Sequence, residues 1–237
     1  MKLFSIAVAL VGLGMAASLP AAAAKPAPAK AAARDWTKVV ARTPAGAYVI
    51  GNPAARVKLV EYLSLTCPHC AHFAAEAYPA LEADYIRPGL VSLEVRHAVR
   101  DPFDMTASLL IRCGTPGAYL GAVSATFAAQ GDWFAKAQSF SETQGAAVEK
   151  MSEADQFQAI ARGVGFDRLF AARGLTPARQ KACLTSAADV KTLSATAQEA
   201  WSTRKIPGTP AFYINGTHVA GLPEWSVVEP ALKAALR

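Results

Sequence analysis

The tetrapeptide Cys67-Pro68-His69-Cys70 directly follows an extended apolar run, Val57 to Leu63, and opens a helical pattern that continues to about Tyr85. This context admits few folds, because a C-x-x-C pair between a strand and a helix is the arrangement that a redox dithiol needs. At a helix start, unpaired backbone N–H groups point at the first sulfur and favour its thiolate. The second cysteine, one turn on, faces the same way and can close a disulfide ring. Cys67 is therefore expected to attack and Cys70 to resolve, with Thr66 as the helix N-cap. A metal site and an inert bridge are the alternatives, but Cys113, Cys183 and His72 supply no second ligand pair at finger spacing. His69 lies between the cysteines and, when cationic, would lower the thiol pKa further; as a solvated spacer it would not. His72, His97 and His218 lack that placement and read as surface or boundary residues.

The surrounding chain alternates strand and helix signals. Tyr48 to Ile50 and Val57 to Leu63 favour extended structure across the turn Gly51-Asn52-Pro53, Pro79 is expected to kink the first helix, and Val91 to His97 reads as a further strand. Helical patterns then dominate, over Met105 to Cys113, Gly117 to Ala129, Glu153 to Arg162, Pro177 to Leu184 and Ala188 to Trp201. Asn215-Gly216, between Ala211-Phe212-Tyr213-Ile214 and His218-Val219-Ala220, predicts a hairpin. A short helix, Glu229 to Leu236, with Pro230 in its first turn, ends the pattern.

Two segments carry a specific likeness. Val60-Glu61-Tyr62-Leu63-Ser64-Leu65-Thr66-Cys67-Pro68-His69-Cys70 and Gly208-Thr209-Pro210-Ala211-Phe212-Tyr213-Ile214-Asn215-Gly216 resemble the two signatures of the DsbA family of thiol:disulfide interchange proteins. The resemblance covers roughly Tyr48 to Leu236. It implies an α/β fold of thioredoxin type, with a central mixed sheet interrupted by an all-helical insertion: a first part over 45–101, the insertion over 102–203 and a second part over 204–237. It also implies that Pro210 is a cis-proline facing the active pair, that Thr209 and Pro68 help to hold an extended substrate peptide, and that Glu61 is a buried acid. Strand periodicity alone leaves open whether Glu61 points outward; if buried, its protonated form is favoured and it could relay a proton near Cys70. Cys113 and Cys183 both fall in the insertion. A structural disulfide between them is the economical reading, with buried free thiols as the alternative.

The resemblance implies an oxidase that passes the Cys67-Cys70 disulfide to unfolded or partly folded exported proteins, needs no cofactor beyond that disulfide, and is restored by a membrane redox partner. Threonine rather than valine ahead of Pro210 keeps an isomerase or reductase in play. The chain has no separate dimerisation domain before Tyr48, which favours a monomeric oxidase. A peptide-binding or chaperone module that merely retained the fold would not need both cysteines. Export is expected from the N-terminal segment: Lys2, an uncharged run from Leu3 to Leu19, and small residues to Ala24 read as a signal peptide over 1–24. The apolar run is short of the ~20 residues that span a bilayer. A proline-alanine linker and N-terminal extension over 25–44 follows, and the periplasm is the expected compartment. The formal net charge of +6 is spread without an arginine-rich stripe, so nucleic acid is not an expected partner.

Overall fold

The computed structural model describes residues 34–237. The expected signal peptide, and the linker as far as residue 33, lie outside them. A six-stranded sheet is built from β1 (Val40–Arg42), β2 (Tyr48–Gly51), β3 (Val57–Leu63), β4 (Val91–His97), β5 (Ala211–Ile214) and β6 (Thr217–His218), in the spatial order β1-β2-β4-β3-β5-β6. Only β3 and β4 run parallel; the other neighbours are antiparallel. A parallel pair needs a crossover, and helix α1 (Pro68–Ala80), continued by a π-turn over Leu81–Ile86, supplies it. The change to π geometry follows directly on Pro79, where the sequence predicts a kink.

Between β4 and β5 the chain leaves the sheet for seven helices: α2 (Pro102–Arg112), α3 (Tyr119–Ala128), α4 (Gln130–Val148), α5 (Glu153–Val164), α6 (Phe166–Ala171), α7 (Pro177–Leu184) and α8 (Ala187–Gln198). Helix α9 (Trp225–Leu236) then returns to pack on the sheet. The thioredoxin-type mixed sheet with an all-helical insertion is thus the observed architecture.

Several local differences have physical causes. Strand β1 forms inside the stretch expected to be linker and extension, because its backbone completes the edge of β2. Helix α9 starts four residues before Glu229, because Trp225 packs edge-on against Phe73 and Tyr85 while Val228 and Leu232 are buried one turn apart. Pro230 therefore sits inside the helix, and its missing N–H forfeits one helical bond. The hairpin turn is of the expected kind, with Asn215 at φ 49° and Gly216 at φ 87°, but β6 is only two residues long. His97 is not a surface residue: it is buried, hydrogen-bonded through one ring nitrogen to Tyr119 and through the other to Ser108. Burial lowers its pKa to about 4, so it stays neutral.

Candidate active site

Strand β3 delivers the chain to the site. Val57, Leu59, Glu61 and Leu63 alternate with Lys58 and Val60 and are buried, so the pleat carries Glu61 inward with the apolar residues. The turn Ser64-Leu65-Thr66 follows, and Cys67, in extended conformation, is the N-cap of α1 with Pro68 in its first turn. Thr66 is not the cap; its hydroxyl donates instead to Asp101 at 2.5 Å. Pairing of Tyr62 with Ala211 brings the start of β5 alongside the end of β3, so the cis Thr209-Pro210 peptide lies beside Cys67. The Cys67 thiol donates to the Thr209 carbonyl at 3.0 Å.

Both active-site cysteines are free thiols here, and their environments drive them apart. Cys67 is lowered from an ordinary 9.0 to about 5, first because the Cys70 thiol donates to its sulfur, and further by Thr209 and the backbone N–H groups of Cys70 and His69; partial burial opposes this. The bond from Cys67 to the Thr209 carbonyl exists only while the thiol is protonated, so it cannot be the part of Thr209 that helps the thiolate. The other polar group of that side of the site is the Thr209 hydroxyl, which is buried and has no hydrogen-bond partner among the described residues. Cys70 is pushed well above 9.0, chiefly by burial and then by the Cys67 sulfur beside it. His69 and Pro68 are exposed, and what His69 contributes to Cys67 is its backbone N–H.

Glu61 is fully buried. Its Oε2 accepts from the Tyr78 hydroxyl at 2.8 Å, and its Oε1 has no partner among the described residues. Burial raises its pKa to about 7, against a smaller lowering by Tyr78, and its charge acts on Cys70. A carboxyl poised near neutrality beside a thiol that resists ionisation has the acidity that a proton donor and acceptor for that thiol requires. Away from this centre, Cys113 at the end of α2 and Cys183 in α7 form a disulfide with Cα atoms 5.8 Å apart. Among the described residues no three His, Cys, Asp or Glu groups stand together as metal ligands.

Further residues at the site lie outside the sequence-based expectations. Asp104, buried in the first turn of α2, accepts from Ser64 Oγ at 2.6 Å and from the Leu65 N–H at 3.0 Å. Arg100 donates to Ser64 Oγ and Thr66 Oγ1, and Gln130 donates to the carbonyls of Leu65 and Cys67. A signal for Asp104 is present in Asp101-Pro102-Phe103-Asp104, where Asp101 caps α2. Tyr78 carries no sequence mark of its own beyond lying two turns after Cys70.

Comparison with known proteins matches this geometry. The family model described as Thioredoxin matches residues 43–234. A protein-disulfide isomerase from Novosphingobium aromaticivorans superposes with a TM-score of 0.75 at 35% identity, covering 80% of this chain and 96% of that one. For alpha-DsbA1 of Wolbachia pipientis the TM-score is 0.61 at 21% identity, over 79% and 89% of the two chains, a likeness of fold. A candidate protein-disulfide oxidoreductase of Rickettsia typhi is 27% identical over 181 residues, which are 76% of this chain and 58% of that protein. The chain thus spans little more than half the length of the curated relatives it matches. Sheet order, the position of the cysteine pair and the family match agree: the chain belongs to the thioredoxin family, and its helical insertion gives it the DsbA form of that fold.

Proposed function

We propose that the chain is an exported thiol:disulfide oxidoreductase that donates its Cys67-Cys70 disulfide to unfolded or partly folded proteins in the periplasm. The observation that carries this reading is the opposed acidity of the two sulfurs, Cys67 at about 5 and Cys70 well above 9.0. A substrate thiolate attacks Cys67; the Cys67-Cys70 bond breaks, and Cys70 leaves with the electron pair and takes a proton, for which Glu61 is the nearby acid. A second substrate thiolate then attacks the substrate sulfur of the mixed disulfide and Cys67 leaves as a stabilised thiolate. The substrate loses two electrons, the protein gains them, and a membrane redox partner restores the disulfide. Thr209 and Pro210 line a cleft with Leu222 on its wall, and Leu222 is 65% exposed, which suits an extended peptide with an apolar side chain. The protein acts as a monomer in this reading. The Cys113-Cys183 bond serves structure only.

Isomerisation is the second reading, favoured by Thr209 ahead of Pro210 and by the likeness to the protein-disulfide isomerase of Novosphingobium aromaticivorans. Equilibration of the full chain with glutathione buffers, alongside alkylation against pH, tests donation. An oxidase is expected to alkylate at Cys67 with a midpoint near the pH of about 5 set by its acidity, and to have a potential well above about −180 mV. A midpoint near the ordinary thiol value of about 8.5 with a potential at or below about −270 mV would overturn donation.

A further inference from the structure

The turn that carries Cys67 to its place is held by the helical insertion as well as by the sheet domain. Leu65 is the clearest case. Its side chain is buried, its N–H donates to Asp104 of α2 at 3.0 Å, and its carbonyl accepts from Gln130 Nε2 at 2.8 Å. One residue's backbone is thus gripped on both sides by two helices that belong to the insertion. The same Gln130 nitrogen donates its other hydrogen to the Cys67 carbonyl at 3.2 Å, and that carbonyl also accepts the first hydrogen bond of α1, from the Ala71 N–H. Gln130 is itself buried as the first residue of α4.

We propose that the insertion sets the reactivity of Cys67 through this clamp, with Gln130 as the positioning residue. Two effects act together. The amide hydrogens of Gln130 draw negative charge away from the carbonyl of the reacting residue itself, which lessens its repulsion of a neighbouring thiolate. They also fix the N-cap backbone, and so the direction in which the N–H groups of His69 and Cys70 meet the sulfur. Without the clamp, the Leu65 carbonyl would lose its hydrogen bond, and the turn would relax to reach water. The inference rests on Cys67 being the attacking thiol, as proposed above.

The test uses the reduced full chain with Gln130→Met, which keeps the length of the side chain and removes its donors. Thiolate absorbance is followed against pH, and the equilibrium with reduced and oxidised glutathione is measured beside it. The thiolate fraction at a pH of about 4 is expected to fall by about threefold to tenfold, corresponding to a pKa rise of about half to one unit. The equilibrium should move by a similar factor toward oxidised protein. Gln130→Glu, which replaces donors by acceptors beside the same carbonyls, should move both readings further in the same direction. A lower thermal midpoint with an unchanged pH curve and unchanged equilibrium would assign Gln130 to stability alone and overturn the proposal, as would failure of both variants to fold. An ordinary thiol pKa in the unsubstituted chain would sink the oxidase reading; an acidic Cys67 that Gln130→Met leaves unmoved would sink only the clamp.

Discussion

Replacing Glu61 by glutamine should make the protein's stability less sensitive to alkali, by an amount that the burial of this carboxyl sets. In the folded chain its pKa is about 7 against an ordinary 4.5. At about 1.36 kcal/mol for each tenfold step in acidity, ionising it inside the fold costs about 3 kcal/mol more than ionising it in the unfolded chain. Because the folded value is the higher one, the native state holds a proton between these pH values that the unfolded state has lost. Stability therefore falls as pH rises from about 4.5, and the loss is complete above about 7. A glutamine side chain cannot ionise, so that loss disappears in the variant. The amide brings its own cost of about 1 to 3 kcal/mol, since its N–H groups meet the place where Oε1 has no partner, but this offset does not depend on pH. Urea unfolding of both proteins at a pH of about 4.5 and again at about 8.5 gives the measurement, with the Cys67-Cys70 disulfide closed so that neither sulfur titrates. The difference between variant and parent should shift by about 3 kcal/mol in favour of the variant at the higher pH. A difference that is the same at both pH values would show that Glu61 is ionised, or reaches water, throughout, and would remove it as a proton donor to Cys70.

Tyr78→Phe removes the hydrogen bond that holds the Glu61 pKa down among the described residues, so carbon NMR of the Glu61 carboxyl should place its midpoint above that of the parent. Opening the insertion's disulfide with the pair Cys113→Ser and Cys183→Ser frees a loop closed over a sequence separation of 70. The expected loss is about 4 kcal/mol in urea unfolding, with the alkylation midpoint of Cys67 unchanged.

The parts of the fold that read easily from the chain are those where local pattern and tertiary demand agree. Val57 to Leu63 favours extended structure, Asn215-Gly216 supplies two positive φ values, and the cysteine pair has its strand before it and its helix after it. Helix α4 is hard to see in the sequence, because Gly131, Gly145 and many polar residues surround its buried stripe of Trp133, Ala137 and Phe140, although the spacing of those three is helical. The same camouflage hides Gln130. Asp104 and Tyr78 are hard to see for another reason: their partners lie 39 and 17 residues away, and only the folded chain shows that a carboxylate on one element meets a backbone N–H or a hydroxyl on another. Glu61 is half legible, since its parity with Leu59 and Leu63 puts it on their face of the strand, while its burial needs the sheet around it.

Cys67 and the Thr209 carbonyl that accepts its hydrogen bond are separated by 142 residues of chain. For a polypeptide made from its N-terminus at about 5 to 20 residues per second, Thr209 follows Cys67 by roughly 7 to 28 seconds. Throughout that interval the cysteine pair has emerged without the wall it will face, and without Gln130 or Asp104 for the earlier part of it. Its sulfur then lacks the contribution of Thr209 to its acidity, while those of Cys70 and of the backbone N–H groups of Cys70 and His69 lie at its own helix start. The surroundings of the pair are thus completed last, when the second half of the sheet closes beside it.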